Sequence, residues 1–160
     1  MTSQKIGKLT MKQSKIAILG GAGFLGSRLG NRLFNSDIAF KKYDIEAKSD
    51  TNISSLDIEK TDTLNQLEGA NTIINLAAVH RDDIRPIRRY DDVNVQGSVN
   101  VCEAARKFGI NKIIFTSSVA IYGFASPDTD ESGEPNYFND YGRTKYLAEQ
   151  VYKEWQAEDP

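Results

Sequence analysis

Tyr141 and Lys145 stand four residues apart in a stretch, Tyr137–Glu158, whose pattern is helical, so their side chains share one face. A lysine ammonium beside a phenol stabilises the phenolate and lowers its pKa from about 10 toward neutrality. Such a phenolate can take a proton from an alcohol while hydride leaves the same carbon. Ser118, just beyond the apolar run Lys112–Ser117, can hydrogen-bond the same oxygen and fix its position. A second constellation is Lys15–Gly26, KIAILGGAGFLG, in which Gly20, Gly23 and Gly26 recur every three residues. The glycines let the backbone turn sharply and approach a ligand, and a helix starting there offers unpaired N–H groups to an anion. Together they form a pyrophosphate site. Asp44 lies 18 residues beyond Gly26, where a dinucleotide fold places the carboxylate that accepts hydrogen bonds from a ribose. Plainer uses exist for each: a glycine turn can simply pack a helix, and aspartate often ends a strand.

These groups converge only if the elements between them place them at one end of a sheet. Ile16–Leu19 is continuously apolar, as in a parallel strand covered on both faces, and Leu25, Leu29 and Leu33 then mark a helical face. That helix is expected to end near Asn35-Ser36-Asp37. Strands follow at Ile38–Asp44, around Ile53–Asp57, at Asn71–Ala78 and at Lys112–Ser117. A helix is expected near Thr61–Glu68, a long one over Tyr90–Phe108 with Gly109 as its stop, and a last one over Tyr137–Glu158. Val119–Asn136 reads as a loop rich in Gly, Pro, Asp and Ser. The alternation implies an α/β fold, a doubly wound parallel sheet in the order 3-2-1-4-5. Strand ends are where such a sheet binds ligand. Ala77-Ala78 there leaves room for a flat ligand, or for close packing alone.

The chain has 160 residues, enough for one domain with a core of its own. Its net charge of −2 gives no electrostatic case for nucleic acid or an anionic membrane surface. No apolar run approaches a membrane span, no signal-peptide core is present, and a cytoplasmic location is expected. Cys102 is the single cysteine, expected to pack as a small buried group. His80 is the single histidine, expected on a solvated loop, so no multi-histidine metal site is expected. Met1–Ser14 reads as a loose leader or an expression remnant, with the domain running from Lys15 to Pro160.

The residues resemble the extended short-chain dehydrogenase/reductases, in particular their NAD-dependent nucleotide-sugar epimerase/dehydratase group. The resemblance runs from about Lys15 to Trp155 through GGAGFLG, LDI at Leu56–Ile58, NLAA at Asn75–Ala78, VNVQGSVNVCEAA from Val93, FTSSVAIYG at Phe115–Gly123 and YGRTK at Tyr141–Lys145. It implies that Gly20, Gly23, Phe24, Leu25 and Gly26 form the pyrophosphate loop, and that Asp44 binds the adenosine ribose. Asp57 and Ile58 would contact the adenine edge, and Leu76, Ala77, Ala78 and Val79 would wall the cofactor. Asn94 matches a family asparagine, which could equally make a buried helix-to-strand hydrogen bond. Ser118, Tyr141 and Lys145 match the catalytic trio, with Tyr141 and Lys145 also touching the cofactor.

The resemblance also implies a reaction. The family's 4,6-dehydratases carry Asp-Glu directly after the catalytic hydroxyl; here Val119 and Ala120 stand there, and neither transfers a proton. That leaves a 4-epimerase acting by transient oxidation, with a nucleotide-sugar reductase or dehydrogenase, or a non-catalytic dinucleotide-binding module, as alternatives. NAD is expected over NADP, because Asp44 would repel a 2′-phosphate, although Lys41, Lys42 or Lys48 could fold over one. Leu19 replaces a threonine common before the first glycine. Family members run about twice as far, so the sequence reads as a cofactor half that lacks the substrate-binding region. A homodimer through the two long helices is expected from the resemblance and from Tyr146, Leu147, Val151, Tyr152 and Trp155, which are apolar on more than one face.

Overall fold

The computed structural model describes residues 16–47 and 52–158; the expected leader lies outside them, as does Lys48. Apolar β-branched and leucine residues at Ile16–Leu19 make β1, which pairs in parallel with β2 (Phe40–Asp44) and β4 (Thr72–Asn75). β3 (Ile53–Ser55) and β5 (Lys112–Phe115) take the edges, giving the expected order β3-β2-β1-β4-β5. Paired positions share a face, so Ala17, Leu19, Tyr43 and Ile73 point one way and Ile18, Lys42 and Ile74 the other. On the first face α3 (Gly97–Phe108) packs Val101, Ala104 and Ala105 into the main core. On the second lies α1 (Phe24–Asn35), so close that a Cβ on Gly30 would stand 3.0 Å from Lys42 Cδ. Helices on both faces make the sheet doubly wound.

The elements are shorter than their apolar patterns. β2 starts at Phe40 because Asp37 and Ile38 donate back to Phe34 and Leu33 and finish α1. The helix expected at Thr61–Glu68 is a single 3-10 turn, Thr63–Leu67, whose buried Leu64 and Leu67 have the three-residue spacing that turn prefers. The long helix starts as α2 (Arg88–Tyr90), loosens into a π-turn at Asp91–Gln96, and continues as α3 to Gly109, which sits at φ 64°. The last helix, α4 (Asp140–Ala157), begins three residues later than expected, because Asn139 caps it by accepting the Gly142 N–H at 2.8 Å. The loop after β5 contains a 3-10 turn at Val119–Tyr122. Cys102 is buried, and burial pushes its thiol up to about 12. Among the described residues no helix is long and apolar enough to cross a membrane.

Candidate functional site

The carboxyl ends of the strands open into a cavity of about 530 Å³ lined by residues that follow each of the five strands. At its centre lies the glycine turn. Gly20 has φ +77°, and a Cβ on it would come within 2.8 Å of the Ala77 N; a Cβ on Gly26 would strike the Gly20 carbonyl. The turn can therefore be built only of residues without side chains at those points. No side chain caps α1 at Gly23, which leaves first-turn N–H groups facing the cavity with Phe24 and Leu25. Asp44 closes one flank: its Oδ2 accepts the Ala22 N–H at 2.9 Å and its Oδ1 the Glu46 N–H at 3.0 Å. A carboxylate has room for further donors, so both oxygens can still accept from a ligand. Asp57, Ile58, Leu76, Ala77, Ala78 and Val79 also line the cavity.

Tyr141 and Lys145 line the other flank from the first turns of α4. Lys145 is 3 % exposed, and among the described residues no ion pair or hydrogen bond reaches its amine. Its Nζ instead sits 3.9 Å from the centre of the Phe115 ring on β5. Burial pulls its pKa down to about 8, with the Glu149 carboxylate acting weakly against that shift. Ser118 is half-buried and does not line the cavity; its Oγ accepts the Ala120 N–H at 3.2 Å and caps the short turn after β5. Thr116 and Ser117, not singled out by sequence, line it instead. His80 is exposed at the rim.

Asn94 stands behind the wall rather than in it. It is 4 % exposed and absent from the cavity lining. Its Oδ1 accepts the Val79 N–H at 2.8 Å, while its Nδ2 donates to the Val79 carbonyl at 2.9 Å and to Thr144 Oγ1 at 3.0 Å. The helix-to-strand hydrogen bond is thus the use the structure gives it. Asn75, which sequence reasoning passed over, does the parallel work one strand turn earlier. Its Oδ1 accepts the Ala77 N–H at 3.1 Å, and its Nδ2 donates to the Tyr152 hydroxyl at 2.8 Å. Two asparagines therefore tie the wall Leu76–Val79 to α4. Also unforeseen is a cavity-lining ion pair, Glu59 with Arg89, whose partners lie 30 residues apart with no local pattern to announce them.

Comparison with known proteins matches this arrangement. A sequence model described as the NAD dependent epimerase/dehydratase family covers residues 16–159. The chain is 40% identical over 150 residues to the N-acetyl-alpha-D-glucosaminyl-diphospho-ditrans,octacis-undecaprenol 4-epimerase of Escherichia coli O157:H7, spanning 91% of this chain and 44% of that protein. It is 29% identical to the UDP-glucose 4-epimerase of Bacillus subtilis, over 90% of this chain and 48% of that one. The UDP-glucose 4-epimerase of Brucella ovis, solved in complex with NAD, superposes with a TM-score of 0.82 at 26% identity, over 90% of this chain and 48% of its own. The chain spans about half the length of the relatives it matches. With its glycine turn, Asp44 and the Tyr141–Lys145 pair set around one cavity within the matched span, the chain belongs to the NAD dependent epimerase/dehydratase family.

Proposed function

We propose that this chain is the cofactor-binding half of an NAD-dependent 4-epimerase acting on a sugar carried by a diphosphate. The observation that carries the reading is Lys145, a buried amine that, among the described residues, no ion pair or hydrogen bond reaches, on the wall it shares with Tyr141. A lysine kept for stability is exposed or paired; one buried alone at a cavity fits a group that a ligand completes. The glycine turn and the first-turn N–H groups of α1 would hold the pyrophosphate, Asp44 the adenosine ribose, and Asp57 and Ile58 the adenine edge. Leu76–Val79 would flank the nicotinamide half, with Lys145 on its ribose. NAD, when bound, accepts hydride from the sugar carbon and returns it to the opposite face. Tyr141 takes the proton of the sugar hydroxyl as its phenolate and later gives it back. Lys145 would stabilise that phenolate; Ser118, on the turn beside the cavity and not on its wall, would reach the sugar oxygen only once the substrate-binding half completes the site.

Two carriers fit a diphosphate-linked sugar. The UDP-glucose 4-epimerases among the relatives favour a nucleotide. The higher identity to an enzyme named for an undecaprenol-linked diphosphate sugar favours a polyprenyl carrier. The cytoplasm is the proposed compartment, and a dimer through the long helices the proposed assembly. The test is a substrate deuterated at C4, offered on each carrier to the enzyme completed with its substrate-binding half. The epimer should keep its deuterium, because the hydride returns to the carbon it left. Deuterium released to free cofactor would make the protein a dehydrogenase or reductase. Cofactor binding without turnover on either carrier would leave a non-catalytic module.

A further inference from the structure

One pair of charged residues on the cavity wall is already joined. Arg89 donates from Nη1 to Glu59 Oε1 at 2.5 Å and from Nη2 to Glu59 Oε2 at 2.8 Å, fork to fork. Among the described ion pairs this is the one with both members on the cavity. Arg89 belongs to α2, which follows β4, while Glu59 follows β3, and β2 and β1 separate those strands in the sheet. The bond therefore reaches across the cavity's flank. Its acidic end is fixed further by Asn100 on α3, whose Nδ2 donates to the Ile58 carbonyl at 2.9 Å.

Stability alone is a weak reason for such a pair. The side chains remain 38% and 24% exposed, and ion pairs that reach water typically contribute about 0–1 kcal/mol. What the bidentate bond does achieve is orientation. It fixes a guanidinium that lines the same cavity as Asp57 and Ile58 and stays partly exposed. A fixed guanidinium plane stacks on flat π-systems, nucleobases among them.

We propose that Arg89, held by Glu59, is a purine clamp: its guanidinium covers the adenine of the bound dinucleotide and slows its release. The proposal rests on the NAD reading above and deepens it. Retention matters to an epimerase, because a dinucleotide that leaves between the two hydride transfers strands an oxidised sugar.

The test uses the 160-residue chain and etheno-NAD, whose fluorescent adenine reports its own surroundings, chased by excess NAD. Arg89→Ala should release the probe about tenfold faster than wild type, the scale of one lost cation–π stack. Glu59→Gln, which keeps the shape but frees the guanidinium, should fall between them, and Arg89→Lys should not restore the wild-type rate. AMP affinity should drop with the dinucleotide's, while nicotinamide mononucleotide affinity stays unchanged. Equal release from wild type and Arg89→Ala, or equal losses for AMP and nicotinamide mononucleotide, would overturn the clamp and leave the NAD site standing. A wild-type chain that binds no NAD would overturn both.

Discussion

A charged amine sealed from water, with no counter-charge, raises the free energy of the fold that holds it. Lys145, 3 % exposed and with no ion pair among the described residues, approaches that case, and its pKa is drawn from 10.5 to about 8 chiefly by burial. Between those two values the unfolded chain keeps a proton that the folded chain has lost, so stability rises with pH across that window and is lowest below it. Lys145→Met should therefore be more stable than wild type at pH 7, by at most roughly 3 kcal/mol, with the gap narrowing from about pH 8 and closed above about pH 10.5. Urea unfolding at a series of pH values measures it, and a gap that does not change with pH would contradict the burial account. On the proposed mechanism the same variant should also lose turnover in the completed enzyme, because the role proposed for Lys145 is to stabilise the Tyr141 phenolate. Tyr141→Phe separates the roles differently. It keeps the ring and its packing, so NAD binding should persist while turnover falls by about 10²–10⁴.

At the scale of elements, α4 is held against the wall Leu76–Val79 by polar links that leave little freedom. Thr144 is fully buried, accepts from Asn94 and donates to the Asp140 carbonyl at 2.8 Å. Asn94→Leu would strip both Val79 groups of their partner, and should cost about 1–3 kcal/mol in chemical unfolding and weaken NAD binding. Thr144→Val keeps the volume and loses the hydroxyl, so it should cost less; a larger loss than Asn94→Leu would mean the link does not run through Val79. The Asn94 link was legible as one of two readings of that residue, but its bond to Thr144 and the bond between Asn75 and Tyr152 were not, because they join residues 50 and 77 apart with no local pattern. The strands, their order and the glycine turn were legible, because apolar runs and glycine spacing are local. Their ends were not. β4 stops at Asn75 because that side chain turns back to the Ala77 N–H, and the long helix loosens over Asp91–Gln96, a stretch that itself holds neither proline nor glycine. Ser118 shows the same limit: its motif located it beside the site, but capping the turn after β5 keeps it off the cavity wall.

For the whole molecule, the apolar residues of α4 divide between two uses. Tyr152 and Trp155 pack on the core, which removes them from the case for a dimer and leaves Tyr146, Leu147 and Val151 half-buried. Light scattering across a wide concentration range tests the proposed assembly, and monomer throughout would remove it. Part of the exposed apolar surface lies on β5 and the loop that follows it. Ile114, Val119, Phe124 and Phe138 are exposed there, and the Phe124 and Phe138 rings stack at 4.8 Å. The central claim, that the cavity at the strand ends is an NAD site, is tested most directly by calorimetric titration of the 160-residue chain with NAD and with NADP. Asp44 offers two oxygens to ribose hydroxyls and repels a phosphate placed on them. The account predicts saturable binding of NAD, tighter than that of NADP; no binding of NAD, or tighter binding of NADP, would contradict it.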